Sequence, residues 1–258
     1  FTGGEQTARA IMVAAAQQLT PVSFELGGKS ASIIFDDARI DNAVGLCIQG
    51  SIALLSGQAC IAGTRILAQR AVYPRVVEAL AAMASALPIG DPRSPATVVG
   101  PIINAHHCER IIGVLDREAR LGTARLVCGG TRVGGALSSG YFIAPTVFAD
   151  VDPDSQLAQD EIFGPVIAVT PFDTEEEALA IANNSRYGLA GYVFTESLGR
   201  AHRAAHAIEA GVVTVNTPYT VAANLPFGGF KASGFGREGG ADGILEMTHC
   251  QSVLMGIG

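Results

Sequence analysis

Gly191-Tyr192-Val193-Phe194, then Ser197 to Glu209, then Val212-Val213-Thr214-Val215 is the stretch that decides the fold. A short β-branched and aromatic run is followed by a longer run of helical character and a second apolar run, which reads strand, helix, strand. The same alternation extends outward. Val166 to Val169 reads as a strand before a helix from Thr174 to Asn184, whose acidic first turn suits the helix dipole. Further upstream, Ser32 to Phe35 and Arg65 to Gln69 read as strands, separated by a buried helix from Asp41 to Ser56 with apolar residues at 44, 48, 52 and 55. Pro74 to Leu87 reads as an amphipathic helix with proline in its first turn. Alternating β and α units predict an α/β fold, a mostly parallel sheet flanked by helices.

The remaining elements are of lower regularity. Asn104 to Arg120 reads as a helix, and Arg125 to Cys128 as a strand before a glycine-rich loop that reaches Gly140. Tyr141 to Phe148 reads as a strand at a sheet edge, because Pro145 lies inside it. Val22 to Leu26 reads as a strand, Gly243 to Met247 as a short helix, and Thr248 to Leu254 as a final strand that pairs with another chain. Asn216 to Glu238 is a long irregular segment, and loops of that length in compact domains are functional or disordered.

The chain of 258 residues is 48% hydrophobic and 16% charged, with a net charge of −7. This composition predicts a globular protein of one or two domains with a large core. The acidic balance and the lack of a basic stripe exclude a nucleic-acid partner. Apolar runs are broken well short of about 18 residues, so no membrane partner is expected. Nor does the sequence read as carrying a signal peptide. The chain opens on Phe1 in the middle of a pattern and is expected to lack an N-terminal part. Cys47, Cys60, Cys108, Cys128 and Cys250 are odd in number and form no CxxC pair, which argues against a zinc site or a disulfide framework. Reduced thiols imply a cytoplasmic protein. His106 and His107 are adjacent and do not share a helix face, so no metal site is expected there.

Two stretches carry chemistry. Ser56-Gly57-Gln58-Ala59-Cys60-Ile61-Ala62-Gly63 places a thiol on a glycine-bracketed turn between a helix and a strand. Phe24-Glu25-Leu26-Gly27-Gly28-Lys29 places a carboxylate before a glycine pair, which suits a base that must approach a reacting atom closely. Two further stretches are weaker alone. Phe1-Thr2-Gly3-Gly4-Glu5 opens a helix running to about Gln18, whose free N–H groups suit an anion, although a plain loop before a helix has the same pattern. Asp160-Glu161-Ile162-Phe163-Gly164-Pro165 sets a carboxylate beside an aromatic, as a polar ring with its sugar requires; a surface acid beside a core Phe is the plainer alternative.

Together these stretches resemble the C-terminal half of an aldehyde dehydrogenase. The resemblance rests on Phe1-Thr2-Gly3, Glu25 to Lys29, Gly57 to Cys60, Glu161 to Pro165, and Pro226-Phe227-Gly228-Gly229 through Lys231, Ser233-Gly234 and Gly236-Arg237-Glu238. They fall in the family's order and spacing along the whole chain. The resemblance implies a Cys60 nucleophile that attacks the aldehyde carbonyl, and a Glu25 base that activates water to hydrolyse the resulting thioester. It implies an NAD or NADP site built from Gly3, Gly4, Leu26, Gly27, Glu161 and Phe163, with Glu161 holding the nicotinamide ribose. It places Ala59, Ile61, Thr220, Val221 and Phe227 along the aldehyde path, with Asn216 and Pro226 in the adjoining anchor loop. These small or apolar residues imply an uncharged small-molecule aldehyde. Gly4 and Ala8 stand where the family often has serine and glycine, which removes a hydroxyl donor and adds a Cβ at the pyrophosphate contact.

The resemblance further implies residues 1–28 as the remnant of a Rossmann-like dinucleotide-binding domain, 29–234 as the catalytic domain, and 235–258 as a return and oligomerisation strand. A homo-oligomer, dimer or tetramer, is implied. The family's oxyanion asparagine and most of its cofactor domain would lie before Phe1, so these residues alone are expected to show little dehydrogenase activity. Two other readings stand beside this one. The chain is a non-enzymatic fragment that keeps the fold and serves in assembly or binding, or it is a cysteine hydrolase that pairs Cys60 with one of His106, His107, His202, His206 and His249.

Overall fold

The computed structural model describes residues 1–217 and 222–258. In chain order the elements begin with helix α1 (Glu5–Ala16), strands β1 (Phe24–Glu25) and β2 (Ala31–Ile34), helix α2 (Ile40–Gln49), strand β3 (Arg65–Gln69) and helix α3 (Tyr73–Ala86). Next come α4 (Ala105–Leu121), β4 (Arg125–Cys128), β5 (Thr146–Ala149), the one-turn α5 (Gln156–Gln159), β6 (Val166–Phe172) and α6 (Glu175–Asn183). The chain closes with β7 (Tyr187–Gly188), β8 (Ala190–Phe194), α7 (Leu198–Ala207), β9 (Val212–Val215), β10 (Phe230–Lys231), β11 (Gly234–Phe235) and α8 (Gly240–Leu245).

Seven strands form one sheet in the order β4-β5-β6-β3-β2-β8-β9, parallel throughout except where β4 meets β5. Helices cover both faces, so the central strands are buried on both sides and read as continuous apolar runs. Alternate residues serve opposite layers. Ile34, Ile66 and Ala68 pack with α2 and α3 on one face, while Ile33, Leu67 and Val193 pack with α6 and α7 on the other. A third cluster, with Ile111 and Leu115 of α4 and Phe148 and Ala168 of the sheet, closes the β5–β6 end. This is the α/β architecture expected from the alternating pattern.

Arg65 shows how the layers are tied. Its guanidinium is buried and donates to Lys29 O at 2.7 Å, Ile181 O at 2.9 Å and Ala182 O at 2.7 Å. It thereby joins the start of β2 to the carbonyl end of α6, where a cation is favoured. Burial draws its pKa down to about 10, still high enough to keep the charge at neutral pH.

Sequence expectations are corrected at several elements. The helix expected over 41–56 stops at Gln49, because Gly50 caps it and Ser51 Oγ donates to Cys47 O at 2.5 Å. The next residues turn sharply, with φ of 50° at Leu55, 59° at Ser56 and 74° at Gly57. Pro145 lies outside β5, which starts at Thr146 and sits between β4 and β6 rather than at an edge; β4 forms the edge. The strand expected from Val22 contracts to Phe24–Glu25, and the short helix near residue 243 starts at Gly240. Thr248 to Leu254 pairs with no other described strand of its own chain, and Val253 and Leu254 stand exposed. Among the described residues no helix is long and apolar enough to cross a membrane.

Candidate active site

In-register parallel strands deliver the residues just before them to one edge of the sheet. Ala31 of β2, Arg65 of β3 and Ala168 of β6 are aligned across their ladders. The segments leading into these three neighbouring strands carry Glu25 to Gly28, Cys60 and Glu161 respectively. The candidate site therefore lies at the amino ends of the strands, opposite to the end at which open α/β sheets usually bind ligands. The facing wall is made of the first residues of the chain and of segments between 222 and 239.

The cleft has a volume of about 1060 Å³. Cys60, Ala59 and Ile61 line it from the thiol turn, and Glu25, Leu26 and Gly27 from the adjoining segment. Gly3, Gly4, Glu161, Phe163 and Phe227 line it as well. Every candidate site residue among the described ones thus meets at one cleft, while Thr220 and Val221 lie outside the described residues. Asn216 is not on the lining; its side chain is taken up by the backbone of Thr195, accepting from its N–H at 3.0 Å and donating to its carbonyl at 2.7 Å.

Glycines make the convergence possible. A Cβ on Gly27 would land on the Glu161 carboxylate, and one on Gly28 would land on the Cys60 carbonyl. With no side chain in the way, Glu161 Oε1 accepts from Gly28 N–H at 3.0 Å. Gly57 has φ of 74°, and a Cβ there would strike the Gly164 carbonyl, so the thiol turn rests directly on the end of the Glu161 loop. Ser56 fixes the other side of the turn, with Oγ accepting from Gly100 N–H at 2.9 Å and donating to Gly100 O at 3.2 Å. Ser233 clamps the glycine pair by donating from Oγ to Gly27 O at 2.7 Å and accepting from Gly188 N–H at 3.0 Å.

The ionisable groups are tuned by burial. Glu25 is 6% exposed, and among the described residues its buried Oε2 has no hydrogen-bond partner. Loss of water pushes its pKa up to about 7, the Glu238 and Glu246 charges add to the rise, and Arg237 opposes it. Cys60 is raised above the ordinary thiol value, first by burial and next by the Glu161 charge, while the Ile61 and Cys60 backbone N–H groups favour the thiolate. Glu161 is likewise raised by burial, against the Gly28 N–H and the charges of Lys29, Arg110 and Arg186. Lys29 is buried and drawn down to about 7 by desolvation and by Arg65.

The raised Glu25 makes stability depend on pH in a defined direction. A carboxyl whose folded pKa lies above its unfolded value holds its proton more tightly when folded, so its contribution is complete below about pH 4 and is lost as pH rises through 7. Lys29 acts oppositely: its contribution is present above about pH 10 and is lost as pH falls toward 7. Urea titrations of wild type and Glu25→Gln at pH 5 and pH 8 isolate the first effect. The variant is expected to gain about 1–3 kcal/mol relative to wild type between the two pH values. Parallel stability curves would mean that Glu25 titrates normally.

Several lining residues are given no role in the cleft by the family resemblance. His107 and Arg110 reach the cleft from α4, Gln58 from the thiol turn, and Glu238 from the irregular segment near the C-terminus. The spacing of His107 and Arg110, on one helix face, was the available sign. His107 Nε2 bonds to the Phe163 carbonyl at 2.7 Å, and burial lowers its pKa, so it is engaged as a neutral donor and not free to serve Cys60 as a base.

The chain is similar to known proteins over its whole length. The model of the aldehyde dehydrogenase family matches residues 1–253. A betaine aldehyde dehydrogenase of Vibrio vulnificus (strain YJ016) is 42% identical over 259 residues, covering 100% of this chain and 53% of its own length. One from Rhizobium etli is 42% identical over 258 residues, again covering 100% and 53%. Among solved structures, the betaine aldehyde dehydrogenase of Staphylococcus aureus in complex with NAD+ superposes with a TM-score of 0.92 at 39% identity, covering 95% of this chain and 49% of that one. The NAD+ complex of an aldehyde dehydrogenase from Bacillus cereus gives 0.90 at 39% identity, with 95% and 49% covered. The chain spans about half the length of the curated relatives it matches.

Proposed function

The chain belongs to the aldehyde dehydrogenase family, and from that premise we propose that it forms the catalytic part of an enzyme oxidising a small-molecule aldehyde to a carboxylic acid, with NAD as hydride acceptor. The carrying observation is that a turn-borne thiol, a buried carboxyl with a pKa near 7 and a second carboxylate docked on a backbone amide share one cleft.

Cys60 adds through sulfur to the aldehyde carbon, and the thiol proton leaves to Glu25 or to water. Both thiol and carboxyl are raised in pKa, so Glu25 is a competent proton acceptor near neutral pH. With the thiol proton gone, the adduct is a thiohemiacetal oxyanion, and loss of hydride from its carbon leaves a thioester on Cys60. Glu25, having released any thiol proton to solvent, takes a proton from a water that attacks the thioester carbon; the C–S bond breaks, Cys60 leaves as thiolate and the acid departs. Splitting one oxidation into addition and hydrolysis lowers each barrier.

The residues present fit a nicotinamide dinucleotide. Glu161 commits Oε1 to Gly28, leaving the second oxygen for a ribose hydroxyl. Gly3 and Gly4 line the cleft at the start of α1, where no side chain caps the helix and a Cβ on Gly4 would meet nothing within 4 Å. Uncapped N–H groups at that position suit a pyrophosphate. A bound nicotinamide ring supplies the hydride acceptor and is otherwise passive. NAD+ is the dinucleotide bound in the Staphylococcus aureus and Bacillus cereus structures reported above, which supports NAD as the acceptor in this reading.

The aldehyde end of the cleft is apolar, with Leu54, Leu55, Ile61, Val212, Pro226 and Phe227 on its walls. This supports an uncharged aldehyde, whereas three of the four relatives reported above are named for betaine aldehyde, a cation. The division into residues 1–28, 29–234 and 235–258, and a homo-oligomer covering the exposed Val253, Leu254 and Ile257, belong to the same reading. It also expects little dehydrogenase turnover from these 258 residues alone. The test is reduction of NAD+ with hexanal and with betaine aldehyde, by this chain and by the chain extended to the length of its relatives. Turnover by the extended protein, with hexanal preferred, is expected; no turnover by it with any aldehyde would refute the proposal.

A further inference from the structure

We propose that His107 and Arg110 form a latch that fixes the loop 160–165 to helix α4 and so sets the position of the Glu161 carboxylate. The functional consequence rests on the reading of Glu161 as the cofactor's ribose partner, but the latch itself does not.

The loop between α5 and β6 has little regular structure of its own, and Phe163 adopts φ of 58°, a conformation costly for a residue with a Cβ. Among the described residues, the Glu161 carboxylate accepts its hydrogen bond from Gly28 N–H. Precision at that carboxylate must therefore come from the backbone that carries it. Three successive carbonyls of this backbone are held from α4. Arg110 donates to Glu161 O at 3.3 Å and to Ile162 O through its other terminal nitrogen, and His107 Nε2 donates to Phe163 O at 2.7 Å. The two side chains lie three positions apart on one helix face, as a shared target requires.

The two residues also hold each other. Arg110 Nε donates to His107 Nδ1 at 3.3 Å. A carbonyl oxygen only accepts, so Nε2 bears the imidazole proton and Nδ1 is the acceptor. The histidine is thereby fixed in one neutral tautomer. Arg110 uses a planar fork to span two adjacent carbonyls, which an ammonium cannot reproduce. Behind the latch, Gly164 packs on Ile111, so the same helix that pins the loop by polar contacts backs it with its core face. No catalytic contact is assigned to either side chain; both act through Glu161.

The amide of Gly28 reports the position of Glu161 directly. Hydrogen exchange of this amide is compared with that of Gly3 N–H, which bonds to Glu25 O in the same wall but touches no part of the loop. Arg110→Ala and Arg110→Lys are expected to lower Gly28 protection about tenfold while leaving Gly3 unchanged. His107→Ala is expected to lower it about threefold, and His107→Gln, which keeps a donor for Phe163 O and an acceptor for Arg110, to restore it. In wild type, the ¹⁵N shifts of His107 should show the Nε2–H tautomer. Unchanged Gly28 protection in Arg110→Ala, or an equal loss at Gly3, overturns the proposal. A parallel titration of the extended protein with NAD+ separates the two readings. Lost Gly28 protection with unchanged NAD+ affinity would keep the latch and remove Glu161 from the cofactor site.

Discussion

Replacing Cys60 by alanine is expected to abolish covalent acylation of the protein by an activated ester such as p-nitrophenyl acetate. This reaction asks only for the thiol and its turn, and needs no hydride acceptor. The other thiols do not substitute. Cys47 and Cys108 are buried in the core, and burial drives the Cys47 thiol to about 12. Cys128 sits on the β4 edge strand, and Cys250 stands exposed near the end of the chain, outside the cleft. Mass spectrometry of the acylated protein should place one acyl group on Cys60 in wild type and none within the cleft in Cys60→Ala. Because burial and Glu161 raise the Cys60 thiol, the acylation rate should climb with pH beyond the range of an ordinary thiol. An unchanged acylation rate in the variant would remove Cys60 as the nucleophile.

Glu25→Gln should leave that acylation largely intact, with water taking the thiol proton, and block hydrolysis of the acyl group from Cys60. The amide matches the carboxyl in shape and cannot take a proton from water. Loss of a general base typically costs about 10²–10⁴-fold. The expected record is one rapid equivalent of p-nitrophenol and then almost no turnover, with the acyl group persisting on Cys60. In wild type, release should rise with pH through about 7, as Glu25 loses its proton. A variant that deacylates as fast as wild type would mean that water is activated elsewhere, with Glu238, on the same cleft, the next candidate.

The sheet was legible because its strands declare themselves twice. Ile33 and Ile34, or Ile66 and Leu67, are apolar on both faces, and each such run is separated from the next by a helical pattern. The cleft was legible for a different reason: its acids and thiol sit beside glycines, and each of Gly27, Gly28 and Gly57 marks a point where another backbone or carboxylate comes too near for a Cβ. Other features had no local sign. The end of α2 at Gln49 was hidden because Ile52 and Leu55 continue the apolar spacing, while a serine hydroxyl and a glycine turn the chain. His107 invites a reading as a metal ligand, but the partners of the latch are carbonyls some fifty positions downstream, at |i−j| of 51, 52 and 56. Glu238 acts on Glu25 only through the tertiary fold.

The short ladder of β1 with β11 carries a consequence for how the protein is made. Phe24 pairs with Phe235 and Glu25 with Gly234, and Ser233 reaches back 206 positions to Gly27. During synthesis the thiol turn and the strands flanking it can settle against the sheet while the last segment is still within the ribosome. The cover over Glu25 cannot form until that segment emerges, and loop closure over such a span is among the later steps in folding. A nascent chain thus carries an assembled thiol beside a carboxyl that is still bathed in water and ionises like any other. The base acquires its unusual proton affinity only when the two distant segments of the chain meet.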